Sequence, residues 1–264
     1  MEWRSAGGPR SDPVARDLWY TPREGRVDDV LKRSVASRLE ALDTCVVSDA
    51  VDQLGLFGAL PGIAPLWACG RVAGRVRTMQ LRRLNFDEPA PASKVHLGCR
   101  AIERSAPGDI IAVAHQGRCD SAGWGGLLSA AASVRGVRAV IVDGACRDVE
   151  EAEELGLPVF ARSVTPVSAR GRTVEDAVEE PIVLSGRTIN PGDFIVADRS
   201  GVVMIAAAEV ERVIARAEEM SASERHMRNS ILAGDPVSRV MDSRYESMTT
   251  ASQSRQAARA VRKT

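Results

Sequence analysis

Asp109-Ile110-Ile111-Ala112-Val113-Ala114, then Trp124-Gly125-Gly126-Leu127-Leu128, then Val137-Arg138-Ala139-Val140-Ile141-Val142-Asp143-Gly144-Ala145-Cys146-Arg147-Asp148: these three stretches decide the fold. The first and the start of the third are short, apolar and β-branched, which reads as buried strand. Leu127 to Val134 is rich in small and apolar residues and lacks proline, which reads as helix. Strand, helix, strand in that order implies a parallel pair joined by a right-handed crossover. The start of the helix and the turn after the second strand then share one carboxyl edge of the sheet. The fold class that follows is α/β, a mixed β-sandwich or barrel-like core flanked by helices.

That edge collects chemistry. The N–H groups around Gly126 to Leu128 would open a helix and attract a carboxylate or phosphate. Arg147 adds a two-pronged donor for the same anion. Asp148 is a hard oxygen ligand of the kind that Mg²⁺ takes while keeping several waters. Each piece also has a plainer reading. Asp148 with Glu151 fits a capping box for a helix ending near Gly156. Gly125 and Gly126 suit a tight turn, and Arg147 suits a paired surface residue. Spacing alone leaves both readings open.

Outward from this centre, Val27–Leu42 and Ser48–Leu54 read as helices, the second stopped by Gly55. Arg71 to Leu81 alternates as a strand does, but its apolar phase slips between Val76 and Met79, which predicts a bulge. Pro107-Gly108-Asp109 and Pro191-Gly192-Asp193 are matching entries to strands, either duplicated elements or two uses of a turn-favouring triplet. Ile182 to Ile205 gives short strands around Ser185-Gly186-Arg187 and Arg199-Ser200-Gly201. Ala208 to Met220 reads as a charged amphipathic helix. The expected organisation is a Gly-, Pro- and Arg-rich flexible extension over 1–26, one domain over 27–220 and a helical tail over 221–264.

Composition narrows the function classes. With 264 residues, 44% of them apolar, the chain can bury a sizeable core. Thirty-five Lys and Arg balance thirty-five Asp and Glu, so no net field draws nucleic acid or an anionic membrane. Aromatic residues make up 4%, too few for base-stacking platforms. No apolar run has membrane-spanning length. The five cysteines (Cys45, Cys69, Cys99, Cys119, Cys146) are scattered and form no C-x-x-C pair, which points to a reducing cytoplasm rather than zinc or disulfides. Cys146 reads as a packing residue. His96, His115 and His226 are isolated and read as structural or solvated, with His115 nearest the candidate site.

Trp124-Gly125-Gly126-Leu127-Leu128 and Arg135-Gly136-Val137 through Asp148-Val149 resemble the family that joins 4-hydroxy-4-methyl-2-oxoglutarate aldolases to the RNase E regulator RraA. The resemblance includes Val47 to Gly55, Gly70 to Thr78, Gly156 to Arg162 and Pro191 to Asp198, and it runs from about Val35 to Met220. It implies a swivelling β/β/α core assembled as a homotrimer or hexamer. It also implies that the Leu127 and Leu128 N–H groups grip a pyruvyl carboxylate, with Gly125 and Gly126 opening the cradle. By the same resemblance Arg147 stabilises an enolate, and Asp148 is the direct ligand of Mg²⁺ or Mn²⁺. The aldolases carry an acidic residue where this chain has Gly126. Asp120, in the expected loop His115 to Asp120, would replace that carboxylate or else cap its loop.

A glutamate in the C-terminal helix of the aldolases reaches a neighbouring subunit, and Glu224-Arg225-His226-Met227-Arg228 through Gly234 resembles that segment. The alternative for Glu224 is an exposed pair with Arg228, four residues on. The implied function is a divalent-metal-dependent carbon–carbon lyase, a pyruvate aldolase or oxaloacetate-type decarboxylase acting on a 2-oxo acid. Lys32, Lys94 and Lys263 lie outside the motifs, as expected where no Schiff base forms. The alternatives are a non-catalytic RraA-like regulator of an RNase, which an intact Arg147-Asp148 pair argues against, and a related enolate-forming lyase or isomerase of a specialised pathway.

Overall fold

The computed structural model describes residues 35–85 and 95–241. The expected extension over 1–26, the first part of the Val27–Leu42 helix, the end of the C-terminal tail and all three lysines fall outside that set.

The described chain is mixed α/β, a large mixed sheet flanked by helices. Its order begins with helical residues 35–40 (α1), α2 (Thr44–Gln53), β1 (Ala64–Pro65), β2 (Val72–Arg83), α3 (Cys99–Arg104) and β3 (Ile110–Trp124). It continues with α4 (Gly126–Arg135), β4 (Ala139–Cys146), α5 (Val149–Glu154), β5 (Val159–Val164) and β6 (Thr173–Val178). The hairpin β7 (Ile182–Leu184) and β8 (Arg187–Ile189) follows, then β9 (Phe194–Asp198), β10 (Gly201–Ile205), α6 (Val210–Leu232) and α7 (Val237–Val240). The large sheet runs β1-β5-β4-β3-β2-β9-β10, with β6 also paired to β2.

The crossover predicted from sequence is present. β3 and β4 are parallel, Ile110 facing Ala139 and Val113 facing Val142, and α4 bridges them. Every residue of β4 is buried, because helices cover one face of the sheet and strands the other; a strand covered on both faces carries an unbroken apolar run. Ile111, Val113, Val140 and Val142 pack under α4 with Trp124, Leu128 and Ala132. Ile110, Ala112, Ile141 and Phe160 point the other way, onto Ile182, Leu184, Ile189 and Ile195. A further layer, α1, α2 and α6, covers β9 and β10 through Val47, Ala50, Val51, Val213, Ile214 and Ala217.

Three expectations need correction. The bulge predicted between Val76 and Met79 is absent there: Val76 to Gln80 pair in regular parallel register with Ile110 to Ala114. The phase slips because β2 is buried on both faces, Val72 and Val76 entering one cluster and Met79 and Leu81 another. The register irregularity lies instead between Gln80 and Leu81, against β6. His115 to Asp120 is not a loop after a short strand but part of β3. Gln116 and Gly117 turn left-handed (φ 58° and 67°), so the exposed residues bulge outward before Ser121 to Trp124 return to the buried sheet. The second strand starts two residues later than Val137 and continues through Asp143 to Cys146.

The matching Pro-Gly-Asp triplets form the same turn. Asp109 Oδ2 accepts the Ala106 N–H (2.9 Å) and Asp193 Oδ2 accepts the Asn190 N–H (2.8 Å). Both glycines take the positive φ this turn needs, 89° and 93°. Helix α6 runs unbroken across Met220, where its buried positions end. Among the described residues no helix is long and apolar enough to cross a membrane.

Candidate active site

Two junctions lie side by side at the carboxyl edge of the parallel strands. At the first, β3 ends at Trp124 and α4 begins two residues later. At the second, β4 ends at Cys146 and α5 begins at Val149. The Arg147 N–H donates to the Trp124 carbonyl (3.1 Å), which locks one junction to the other. Buried Trp124 donates from Nε1 to Ser129 Oγ (3.0 Å), and that hydroxyl donates to the Gly125 carbonyl (3.1 Å), fixing the entry to α4.

Asp148 sits at the head of α5, but its side chain makes no capping bond to that helix. The capping-box reading therefore fails. Asp148 takes a left-handed conformation (φ 55°, ψ 46°), one that Asp tolerates better than most residues. This turns its carboxylate toward the other junction: Oδ2 accepts the Gly126 N–H (3.0 Å) and Arg147 Nε–H (2.9 Å). Burial opposes the charge, but the Gly126 N–H and the Arg147 guanidinium outweigh it and hold the carboxyl below the usual carboxylate range. Gly125 is required by this approach: a Cβ there would lie 2.9 Å from Asp148 Oδ2 and 3.1 Å from Arg147 Cγ.

A cavity of about 90 Å³ opens here, and Gly125, Gly126, Leu127, Leu128, Arg147 and Asp148 all line it. The N–H groups of Leu127 and Leu128 belong to the first turn of α4, which has no intrahelical acceptors for them. Sequence reasoning missed the far wall, formed by His96, Leu97, Ser168, Ala169 and Arg170. His96 was read as isolated, and nothing in local spacing connects the segment after β5 with the start of α4.

Asp120 and Glu224 lie elsewhere. Asp120 is half-exposed, paired with Arg83 (2.6 Å) and Arg118 (3.0 Å), and is not among the cavity-lining residues. Glu224 lies on the exposed half of α6, in a separate hollow with Met227, Arg228, Ile231, Leu232 and Met241. Burial, with Asp43 and Asp49 nearby, pushes its carboxyl up. Among the described residues it forms no ion pair with Arg228. His115 is fully buried, with Nε2 against the Ser121 carbonyl (2.8 Å), and burial lowers its pKa. Cys146 is buried and its thiol is pushed far up by that burial, which suits packing rather than reactivity.

One carboxylate, one guanidinium and a free helix end offer an anion cradle beside a place for a hard cation. Among the described residues no group of three His, Cys, Asp or Glu could enclose a metal. Among the described residues Asp148 Oδ1 accepts no hydrogen bond, so the donor set fits an ion that keeps most of its waters.

Comparison with known proteins places this geometry. DlpA of Legionella pneumophila is 26% identical over 221 residues, which is 84% of this chain but about a third, 35%, of DlpA. A 4-hydroxy-4-methyl-2-oxoglutarate aldolase of Thermus thermophilus is 31% identical over 51% of this chain and 76% of its own length. The crystal structure of Streptomyces coelicolor RraAS2, described as an unusual member of the RNase ES inhibitor RraA protein family, superposes with a TM-score of 0.66. It is 24% identical over 74% of this chain and 96% of that one, a likeness of fold. The family described as RraA-like (Aldolase/RraA) matches residues 44–204, which hold every strand but the last residue of β10 and both junctions of the site, and the chain belongs to that family.

Proposed function

We propose that this protein is a divalent-metal-dependent carbon–carbon lyase that acts on a 2-oxo acid through a pyruvyl enolate. The observation that carries the reading is the bonded Arg147–Asp148 pair, set against the first turn of α4 in one cavity. The aldolase among its relatives agrees with it.

The chain's own groups divide the work. The Leu127 and Leu128 N–H groups, aided by the helix dipole, hold the substrate's 1-carboxylate. Arg147 spends Nε on Asp148 and, among the described residues, makes no other side-chain hydrogen bond, so its terminal nitrogens are available to the 2-oxo group and stabilise negative charge developing there. Asp148 would hold Mg²⁺ or Mn²⁺, which supplies a Lewis acid for that same oxygen. In aldol cleavage the 4-hydroxyl gives up its proton and the C3–C4 bond breaks. A new carbonyl leaves, and the bonding pair passes to the pyruvyl enolate, which takes a proton at C3. In decarboxylation of an oxaloacetate-like acid, the same C3–C4 pair stays with the enolate as the 4-carboxylate departs as CO₂, and C3 then takes a proton.

A homotrimer or hexamer completes the proposal, with Glu224 reaching the cavity of a second copy. Its separation from its own chain's site and its place on the exposed half of α6 support this arrangement.

Pyruvate release from a panel of 4-hydroxy-2-oxo acids and oxaloacetate tests the reading. Release should require added Mg²⁺ or Mn²⁺, stop with chelator and vanish in Asp148→Asn. In the same assay, mixed oligomers of inactive Asp148→Asn and inactive Glu224→Gln subunits should recover activity. No recovery despite proven subunit exchange would return Glu224 to the surface.

A further inference from the structure

The groups named so far within a single chain leave one proton without an acceptor. Aldol cleavage needs a base for the 4-hydroxyl, yet among the described residues that line the cavity Asp148 is the only carboxylate. It is already engaged by Gly126 and Arg147. Asp120 is held by Arg83 and Arg118.

A second carboxylate stands at the rim. Glu151, in the first turn of α5, reaches back across the gap between the junctions and lies on the bare Cα of Gly126. A Cβ at 126 would fall 1.7 Å from Glu151 Oε2 and 3.1 Å from Asp148 Cβ. Any other residue at 126 would therefore displace this side chain. Gly126 has an ordinary helical backbone and no left-handed turn to satisfy, so its turn does not call for glycine, and its missing Cβ leaves the room that the Glu151 carboxylate occupies. Among the described residues the Glu151 carboxylate forms no ion pair and accepts no hydrogen bond. It is an uncommitted base one residue from the cradle N–H groups.

We propose that Glu151 is the acid–base residue of this site, its carboxylate delivered from α5 through the space that Gly126 leaves open in α4. Glu151 takes the 4-hydroxyl proton as the C3–C4 bond breaks. The oxygen pair becomes the carbonyl of the leaving fragment, and the same proton is returned to C3 of the enolate. The proposal rests on the lyase reading. The simplest competing role is a charge that favours two helix N-termini and does nothing else.

Two variants separate these roles. Glu151→Gln keeps size and contact but removes the base. Gly126→Asp/Glu151→Ala moves a carboxylate onto α4 and clears the space it needs. Glu151→Gln should lower kcat for aldol cleavage by about a hundredfold, the ordinary scale of general-base catalysis, with KM little changed. Oxaloacetate decarboxylation, which has no hydroxyl to deprotonate, should stay within a few fold, and the double variant should regain at least tenfold in aldol cleavage. Equal loss in both reactions with a lower Tm, or no loss in either, would overturn the proposal. If the wild-type protein cleaves no 2-oxo acid, the lyase reading fails by itself. Mn²⁺ binding by calorimetry then decides: severalfold weaker binding in Glu151→Gln keeps Glu151 in the site, and unchanged binding removes it.

Discussion

Arg147 and Asp148 show how much a pair of neighbouring residues depends on the backbone that presents them. Asp148 accepts a left-handed φ, and in return its carboxylate faces α4 rather than capping its own helix. Arg147 then has one nitrogen of its planar fork fixed by Asp148 and lines the cavity beside it. Lysine offers a point charge without that geometry. Arg147→Lys should therefore reduce kcat by on the order of a hundredfold or more, as for loss of a charge contact made in the transition state. Unchanged steady-state kinetics would take Arg147 out of the chemistry. That Arg147, Asp148, Leu127 and Leu128 meet at one cavity was legible because all four lie within one strand–helix–strand unit, while the roles proposed for them came from the family resemblance. Glu151 was not: as a capping partner it is a local pattern, whereas its reach to Gly126 depends on how two helices sit side by side. For the same reason Gly126→Asp alone should not improve aldol cleavage, because it drives two carboxylates into one space.

At the level of elements, the site is held by connections that lie far from it. Asp198, at the end of β9, ties the layer of helices to the sheet. It accepts the Thr44 N–H (3.0 Å) and Thr44 Oγ1–H (2.5 Å) at the head of α2, the Ser200 N–H (2.8 Å) and Arg71 Nε–H (3.4 Å). Burial opposes its charge, but Thr44, Ser200 and Arg71 prevail and hold the carboxyl below its usual range. A depressed folded-state pKa contributes stability above the unfolded value, about 3.9 for Asp, and that stability is lost as pH falls through the folded value. Asp198→Ala should cost about 2–3 kcal/mol near neutral pH, and the gap from wild type in urea unfolding should narrow once pH drops below about 4. A gap independent of pH would show that the charge plays no part. The central strands were readable as elements because both of their faces are buried. That same double burial made the phase of β2 misleading: a change in which face is more apolar imitates a bulge. The excursion at Gln116–Gly117 was read as a loop because its exposed polar residues outnumber the signals that return the chain to the sheet.

The described chain is built on a sheet whose carboxyl edge holds the candidate site and whose β9–β10 end is covered by α1, α2 and α6. Among the described residues two helix surfaces are open. Leu127 and Val134 on α4 are 83% and 91% exposed, and α6 beyond Met220 has no fully buried residue. Both agree with the proposed assembly, in which the exposed half of one subunit's α6 approaches another's cavity. In the sequence only the resemblance of the segment from Glu224 to Gly234 points to such an assembly, because the surfaces it proposes would meet only between copies. The central claim, that Arg147 and Asp148 with a divalent ion generate a pyruvyl enolate, does not depend on knowing the natural substrate, because pyruvate is the common product. The direct measurement is exchange of the pyruvate methyl protons with D₂O, followed by NMR. The account predicts exchange that starts on adding Mg²⁺ or Mn²⁺, stops with chelator and is lost in Asp148→Asn and Arg147→Lys. Exchange that proceeds without metal, or equally in both variants, would contradict it, as would its absence from the metal-saturated wild-type protein.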